Sequence, residues 1–233
     1  MTRWPVAGVV VWTAVVLGAY AVPGADEVAR DDGFIWLFDG TNLDAWQTSS
    51  QAGWTVEDGV ISLRDRTDGA LNNDDYLWSK EAYGNFVLEL EYKTPEGPAN
   101  SGVFLRTADL RDPVYSGIEI QVSNSYGRKE VSRGGTAGAV YDCLAPRKNL
   151  AKPPGQWNRC RITCRDNWIQ VELNEEVVTE MDLDLWTETG RNPDGTPNKF
   201  TKPLKQFARC GHIGLQDHGR PIWYRNVRVK RLP

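Results

Sequence analysis

Apolar and polar residues alternate along much of the chain, in short runs that turn residues separate. In SGIEIQV (116–122) the alternation places Glu119 and Gln121 on one face of a predicted strand and the branched aliphatic residues on the other. A second stretch, GHIGLQDHGRPIWYRN (211–226), holds both histidines of the chain beside an amide, a carboxylate, arginine and two aromatic residues. Two polar strand faces of this kind indicate a groove that handles sugars.

The same periodicity predicts an all-β protein, because the patterned segments are short and have the period of strands. Turn pairs such as Asp58-Gly59 and Asp166-Asn167 separate them, and the sequence holds no long amphipathic helical pattern. These features predict one domain built as a two-sheet antiparallel sandwich of the jelly-roll type. The predicted strands are 34–38, 54–56, 60–63, 77–78, 86–92, 102–106, 118–122, 157–165, 168–173, 176–179, 212–216 and 223–230.

Two intervals between predicted strands are too long and too rich in Gly, Pro and Lys to be tight turns. They span residues 123–156 and 184–209. Loops of this length in a compact domain usually carry function or cover a sheet edge. We therefore expect one of these roles for each.

Composition narrows the class of protein. The 233 residues are 40% hydrophobic and 25% charged, which suits one soluble domain with a normal core. The formal net charge of -4 provides no basic field for nucleic acid. Ten tryptophans stand out. Packing in a β-rich core explains most of them, and stacking on sugar rings would explain a few.

The first residues resemble a secretory signal peptide. Arg3 supplies the charge, residues 6–17 an apolar run, and Ala19-Tyr20-Ala21 a small-x-small cleavage site. The alternative, a membrane anchor, is disfavoured because the run is short for a span of about 20 residues. We expect cleavage of residues 1–21, no stable membrane insertion afterwards, and a periplasmic or extracellular protein.

Export would permit disulfides among the four cysteines. Cys160 and Cys164 lie on one face of a predicted strand, roughly 13 Å apart, and cannot pair with each other. Cys143 and Cys210 are then their available partners, in either order. Buried free thiols are the open alternative.

Several motifs, in a fixed order along the chain, resemble the secreted 3-keto-disaccharide hydrolase family. The resemblance covers residues 33–231, and its most specific part is LQDHG with the aromatic-Arg-Asn segment that follows. Single motifs such as FDG and WN are common, whereas the ordered set is specific. The motifs are FDGTNLDAW (38–46), WTVEDGVI (54–61), NSGVFLR (100–106), GIEIQ (117–121), GAVYD (138–142), PPGQWN (153–158) and GHIGLQDHGRPIWYRNVRVK (211–230).

The resemblance implies a concanavalin A-like lectin/glucanase sandwich and cleavage of glycosides already oxidised to a ketone at sugar carbon 3. It implies a carbohydrate or glycoside substrate and no certain cofactor, and it leaves a divalent cation open. One position departs from the family pattern, because Asn124 stands where Asp is more usual. If that Asp assists chemistry or binds a cation in relatives, the activity of this chain is weakened or altered.

The chemistry of such substrates explains the groups in the motifs. A ketone at carbon 3 acidifies the hydrogen on carbon 2, so that a base can form an enolate and expel the substituent at carbon 1. Water addition to the resulting enone completes a net hydrolysis. The path needs a base, a stabiliser for the enolate oxygen and an acid for the leaving oxygen. It does not need the paired carboxylates of ordinary glycosidases.

Glu119 and His218 are the candidates for proton transfer. Glu119 is the first choice for a base or a cation ligand, and the alternative is a solvated strand face or an ion pair with Arg106. His218 suits either direction of proton transfer because imidazole titrates near working pH. Its alternative is a loop residue that caps backbone groups. The family resemblance favours the catalytic interpretation of His218.

Six further residues are candidates for substrate binding. Arg106 shares strand parity with Phe104, so it is expected to face the groove and polarise the ketone. Gln121 and Gln216 suit sugar hydroxyls, or equally satisfy a strand edge. The remaining three are Asp217, which would ligate a cation, orient His218 or simply form a turn, and the aromatic residues Tyr141 and Trp223, which are sugar platforms or core residues.

A second class of function stays open from the sequence. It is a non-catalytic carbohydrate-binding sandwich that keeps the scaffold. A classical glucan hydrolase on the same fold is disfavoured, because the sequence lacks an ExDxxE-like strand motif. Glu119 and His218 favour an enzyme, whereas Asn124 favours the non-catalytic module.

Overall fold

The computed structural model of the chain describes residue 1 and residues 32–48, 53–64 and 75–233. The predicted signal peptide and its cleavage site therefore lie outside the described residues, apart from Met1. Within those ranges, no helix is long and apolar enough to cross a membrane. Residues 33–233 form one compact unit.

Short antiparallel strands build this unit, as the alternation of the sequence predicted. All the predicted strands are present, with bounds that differ by a few residues. A short helix, α1 (Pro113–Ser116), and 3-10 turns at Leu183–Leu185 and Leu204–Gln206 complete the described elements. The strands are β1 Ile35–Phe38, β2 Trp46–Gln47, β3 Trp54–Glu57, β4 Val60–Leu63, β5 Leu77–Tyr83, β6 Phe86–Lys93, β7 Asn100–Thr107, β8 Ile118–Ser123, β9 Asn158–Arg165, β10 Trp168–Leu173, β11 Glu176–Asp182, β12 Gly211–Leu215 and β13 Ile222–Arg231.

The described strands form two sheets, which confirms the predicted two-sheet sandwich. The larger, eight-stranded sheet has the order β11-β10-β9-β6-β13-β4-β3, and β1 pairs with β13 beside this path. The smaller, five-stranded sheet has the order β2-β5-β12-β7-β8. Neighbours in both sheets are antiparallel.

Strand alternation separates the core from the outer face of the eight-stranded sheet. In β9, Cys160, Ile162 and Cys164 are buried, whereas Arg159 and Arg161 are exposed. All four cysteines are free thiols; Cys143, Cys160 and Cys164 are buried, as the alternative without disulfides expected, whereas Cys210 is exposed. Burial raises the pKa of the Cys160 and Cys164 thiols to about 12, which keeps them protonated and unreactive.

The first long loop covers the outer edge of β8, one of the two roles expected for it. The backbone N–H of Tyr141 donates to the carbonyl of Glu119 (2.8 Å), and that of Gly138 donates to the carbonyl of Gln121 (2.9 Å). In return, Gln121 N–H donates to the carbonyl of Ala139 (2.9 Å). An edge strand with open backbone groups would invite pairing with another chain. Here the loop satisfies these groups and carries Tyr141 to the side of Glu119.

Candidate active site

Two glycines in the centre of the five-stranded sheet make room for the side chains of the candidate site. A Cβ atom at Gly102 of β7 would lie 2.5 Å from Glu119 Oε1, so the glutamate side chain lies across the backbone of the neighbouring strand. A Cβ at Gly214 of β12 would collide with the Trp78 ring in the same way. Side chains as large as these can lie flat on a sheet only where the strand beneath lacks a Cβ. Ile118, Ile120 and Val122 of β8 belong to the hydrophobic core, so Glu119 and Gln121 between them point to the outer face of the five-stranded sheet, where the site lies.

Glu119 is a buried carboxyl group on this face, with 5% of the residue exposed. The Nζ atom of Lys199 lies 3.7 Å from its Oε2 atom. Burial raises the pKa of the Glu119 carboxyl to about 7, while the Lys199 ammonium and a polar interaction with Gln216 act in the opposite direction. A carboxylate with a pKa near working pH suits a general base, because it is both available and basic enough to take a proton.

Lys199 comes from the second long loop, for which a functional or edge-covering role was expected. Its Nζ atom lies 4.6 Å from the centre of the Tyr141 ring. Burial lowers the pKa of the Lys199 ammonium, and attraction by Glu119 opposes this effect. The backbone N–H of Lys199 donates to Asp142 Oδ2 (2.6 Å), and the carbonyl of Asp142 accepts from Asn192 Nδ2 (3.1 Å). Asp142 therefore joins the two long loops at the site.

Both predicted glutamines lie beside Glu119. Gln216 Nε2 donates to the Tyr76 hydroxyl (3.0 Å), and its backbone N–H donates to the carbonyl of Gly102 (2.9 Å). Gln121 Nε2 donates to the carbonyl of Gly134 (2.5 Å). The Oε1 atoms of Gln216 and Gln121 are buried, and neither accepts a hydrogen bond from another described residue. Buried acceptors of this kind are unfavourable unless a ligand satisfies them, and sugar hydroxyls are suitable donors.

Three aromatic residues on this face pack against one another, apart from the main core. Tyr76 and Trp78 have ring centres 5.6 Å apart, and Phe104 lies 5.4 Å from Tyr76. Burial raises the pKa of the Tyr76 hydroxyl to about 12, which keeps it neutral and able to act as donor or acceptor. These rings support Gln216 and Glu119 from the side of β5.

Asp217 and His218 lie in the turn after β12. Asp217 is buried, and its Oδ1 atom accepts the backbone N–H of Gly219 (2.8 Å), which is the turn geometry that the sequence offered as one alternative. His218 is half-buried. It follows Gln216 by two residues, so that their Cα atoms are within about 8 Å of each other. The turn therefore keeps His218 at the end of β12 that carries Gln216.

The prediction that Arg106 faces the groove is wrong. Its guanidinium is buried and donates to the carbonyls of Gly84 (2.7 Å) and Asp166 (2.6 Å) and to Asn85 Oδ1 (3.1 Å). The reason is a β-bulge: the pairing of β7 with β12 shifts register beside Arg106, whose φ angle is +51°. A bulge with a left-handed residue reverses the alternation that assigned Arg106 to the face of Phe104.

Trp223 is also displaced from the predicted site. It belongs to β13 of the eight-stranded sheet, where it pairs with Lys93 of β6. Its neighbour Tyr224 is fully buried and contacts Ser101 of β7 through its hydroxyl (2.8 Å). Because successive side chains of a strand point to opposite faces, Trp223 lies on the outer face of the other sheet. Its ring is 4.9 Å from Lys93 Nζ and does not serve as a platform beside Glu119.

Asn124, the residue that departs from the family pattern, has a contact that an aspartate could not make. Its Nδ2 atom donates to the carbonyl of Gly97 (2.8 Å), in the turn between β6 and β7. A carboxylate has no hydrogen to donate, so the Asn124 amide is needed for this bond between the turn and the end of β8.

No group of three or more His, Cys, Asp and Glu side chains suited to a metal ion occurs in the part of the chain that the structure describes. The participation of a divalent cation stays a prediction.

Sequence reasoning missed Lys199 and Tyr76. Tyr76 precedes β5, in a segment without a clear pattern, and Lys199 is one of several lysines in a long loop. The sequence around Lys199, TPNKF (196–200), signals only a turn. The predicted residues that the structure brings together are Glu119, Gln121, Tyr141 and Gln216. With Lys199 they combine a base, a cation and neutral groups for hydroxyls, a set suited to proton transfer beside an oxyanion.

The chain is similar to proteins whose names describe an action on carbohydrates. A family model described as a 3-keto-alpha-glucoside-1,2-lyase-like domain matches residues 33–230. A 3-keto-disaccharide hydrolase of Bacteroides thetaiotaomicron is 29% identical, over an alignment that covers 86% of this chain and 79% of that protein.

Solved structures agree with the family match. A protein of Parabacteroides distasonis assigned as a glycosyl hydrolase is 34% identical, with a TM-score of 0.74, over 85% of this chain and 99% of that one. A Bacillus subtilis protein with a galectin-like fold has a TM-score of 0.56 at 16% identity, over 87% of this chain and 97% of that one, and shows the fold alone. The lectin/glucanase jelly roll is thereby confirmed. The match over residues 33–230, which follows the ordered motifs of the sequence, shows that the chain belongs to the 3-keto-alpha-glucoside-1,2-lyase-like family.

Proposed function

We propose that this protein cleaves glycosides that carry a ketone at carbon 3 of the sugar. The observation that carries the proposal is the buried Glu119 carboxyl, with a pKa of about 7, beside the Lys199 ammonium. Such a group is basic enough to take an activated C–H proton at neutral pH. The family membership and the name of the Bacteroides relative support a carbohydrate substrate and a glycoside hydrolase-type enzyme.

In the proposed reaction, Glu119 removes the proton from carbon 2, and the electrons of that C–H bond form an enolate with the ketone oxygen at carbon 3. The ketone at carbon 3 then re-forms, and the electron pair moves to form a double bond between carbons 1 and 2. The bond from carbon 1 to the leaving oxygen breaks in the same step. His218 donates a proton to that oxygen. Water adds to carbon 1 of the enone, and carbon 2 regains a proton, which completes a net hydrolysis. General acid–base assistance at each proton transfer lowers the barrier.

Binding in this scheme uses the neutral groups around Glu119. The buried Oε1 atoms of Gln121 and Gln216 would accept hydrogen bonds from sugar hydroxyls. The Tyr141 ring lies in the same part of the site, because its centre is 4.6 Å from Lys199 Nζ, which is itself 3.7 Å from the Glu119 carboxylate. An aromatic ring beside polar acceptors is a common arrangement for a sugar, which has an apolar face and a polar rim.

One experiment separates catalysis from binding. The purified protein is incubated with matched 3-keto and ordinary glycosides in D2O, and mass spectrometry follows both products and deuterium at carbon 2. We expect cleavage of the 3-keto compound only, since the ordinary glycoside lacks the activating ketone. Equal cleavage of both would exclude the enolate path. Binding of both without cleavage would favour the carbohydrate-binding module.

Export is part of the same proposal, because the charge, apolar run and Ala19-Tyr20-Ala21 pattern occur together. We propose that the mature chain begins at Val22 in the periplasm or outside the cell. Intact-mass measurement of the exported protein should give the mass of residues 22–233. Recovery of the full-length chain from the membrane fraction would contradict this.

A further inference from the structure

We propose that Lys199 binds the carbon 3 oxygen of the substrate and stabilises the enolate that forms there. The sequence assigned this electrophilic role to Arg106, but the Arg106 guanidinium is bonded to Gly84, Asn85 and Asp166 and is not available for it. The proposed reaction then requires another group to stabilise the oxyanion. This inference rests on the proposed function.

The position of the Lys199 ammonium fits this role. It lies 3.7 Å from the carboxylate that takes the proton, and 14% of its side chain remains exposed. The ketone oxygen is two bonds away from carbon 2, so a cation beside the base is within reach of that oxygen when the base contacts the C–H bond. Donors placed in advance where charge develops stabilise the transition state without reorganisation.

Burial lowers the pKa of the Lys199 ammonium, and two neighbours offset part of this cost. The Glu119 carboxylate attracts it, and the face of the Tyr141 ring, 4.6 Å from Nζ, stabilises a cation through its quadrupole. The Phe200 ring lies 5.4 Å from Nζ on another side. Only 14% of the Lys199 side chain is exposed, so its attraction to an oxyanion is stronger here than it would be in water.

The net charge of the site, with the substrate included, stays constant when Glu119 takes the proton. Before the step, the negative charge is on Glu119, next to the Lys199 ammonium. When Glu119 takes the proton from carbon 2, it becomes neutral, and the negative charge passes to the carbon 3 oxygen. Lys199 then exchanges one anionic partner for another. The buried site thus avoids an unpaired charge during this step, which would otherwise be costly.

The loop that carries Lys199 is fixed at the backbone. The Asp142 carboxylate accepts the Lys199 N–H (2.6 Å), and Asp142 has a φ angle of +65°, in the left-handed region. The carbonyl of Asp142 also accepts from Asn192, within the same loop as Lys199. The side chain of Lys199 therefore starts from a backbone position that the first loop sets.

Replacement of Lys199 tests the proposal. Lys199→Met removes the charge and keeps the apolar stem, Lys199→Arg keeps a charge, and Lys202→Met is the matched control. Lys202 is exposed, lies in the same loop and contacts the Phe207 ring (5.0 Å). For each variant we would measure the rate of deuterium exchange at carbon 2 of a 3-keto-glucoside and the kcat and KM for its cleavage. The Kd for the ordinary glucoside is measured separately. Thermal melting and circular dichroism check folding.

We expect Lys199→Met to slow exchange and kcat by about 100-fold to 1,000-fold, as the loss of one oxyanion donor does. The Kd of the ordinary glucoside, which has no ketone, should change little. Lys199→Arg should recover part of the rate, and Lys202→Met should behave as the wild type. The pH at which the rate rises should also move upward in Lys199→Met, because attraction by Lys199 lowers the pKa of Glu119.

Two results would overturn the proposal. The first is a folded Lys199→Met or Lys199→Gln variant that exchanges carbon 2 as fast as the wild type. The second is a sugar that borohydride reduction fixes to Lys199 through a secondary amine, since the amine would then attack the ketone carbon instead of stabilising its oxygen. A wild-type protein that neither exchanges nor cleaves the 3-keto-glucoside would instead overturn the proposed function.

Discussion

Glu119 and His218 carry the proposed proton transfers, so single substitutions at them should remove activity but not the fold. Glu119→Gln and His218→Ala should each lower kcat/KM on a 3-keto-glucoside by about 100-fold to 10,000-fold. Neither residue belongs to the hydrophobic core. Steady-state kinetics with circular dichroism would check both effects. A His218→Ala variant with wild-type kinetics would leave the leaving-group acid unassigned.

The burial of Glu119 makes the free energy of unfolding depend on pH, because the folded protein disfavours the charged carboxylate. Its carboxyl titrates at 4.5 in its ordinary environment and at about 7 in the folded protein, so the folded state holds the proton more tightly. The tighter proton binding stabilises the folded state. This stabilisation is fully present below about pH 4.5 and is lost as the pH rises through about 7.

Glu119→Gln removes this titration and should therefore flatten the stability profile. Between about pH 5 and about pH 8, the variant should lose on the order of 2 to 3 kcal/mol less stability than the wild type. Denaturant unfolding at the two pH values would measure the difference. Glu96→Gln, at an exposed glutamate in the turn between β6 and β7, is the control and should follow the wild type. An equal loss in Glu119→Gln would mean that the carboxyl titrates near its ordinary range.

At the scale of the strand, the site depends on the absence of a side chain as much as on those present. A methyl group at Gly102 would lie 2.5 Å from Glu119 Oε1 and 2.7 Å from its Cγ atom. Gly102→Ala should therefore displace the carboxylate and lower kcat/KM by about 100-fold, as a displaced catalytic group does.

Gly84→Ala is the control for this substitution. A Cβ at Gly84 would meet its nearest neighbour, the carbonyl of Arg209, at 3.7 Å, an ordinary contact. Its activity should match the wild type, and thermal melting should show both variants to be folded. Full activity in Gly102→Ala would show that the Glu119 side chain can move aside without loss of function.

The strands were predictable from the sequence because alternation is a local property. Glu119 and Gln121 lie on one face of β8 as their spacing predicted. Alternation no longer predicts the face of a side chain where a β-bulge inserts an extra residue, as it does at Arg106. Lys199 was not predictable, because it reaches Glu119 through a loop whose path depends on contacts with Asp142. Trp223 was assigned to the wrong sheet, since the pattern of one strand does not tell which sheet it joins.

At the scale of the whole molecule, Arg106 connects strand β7 of one sheet to the turns at Gly84 and Asp166. Its buried guanidinium donates three hydrogen bonds there. Arg106→Met should lower the free energy of unfolding by about 3 kcal/mol, because it removes three hydrogen bonds of a buried charged group and leaves their partly buried acceptors without a donor. The KM of the protein that remains folded should not change, since Arg106 does not touch the substrate.

Arg147→Met is the control for Arg106, because Arg147 is mostly exposed and pairs with Glu180 at 2.5 Å. Its effect should be within about 1 kcal/mol. Chemical denaturation would provide both values. An Arg106→Met variant of normal stability but raised KM would show that Arg106 binds the substrate after all.

The contact between Asp142 and the backbone of Lys199 joins two segments that are far apart along the chain, on the outside of the sandwich. Both ends of this contact are anchored in the core, because Cys143 beside Asp142 and Phe200 beside Lys199 belong to the buried hydrophobic cluster. Segments anchored in a core open with a free energy close to that of global unfolding. On heating, activity and the β-sandwich should therefore be lost in one transition, and activity should return only when the chain refolds.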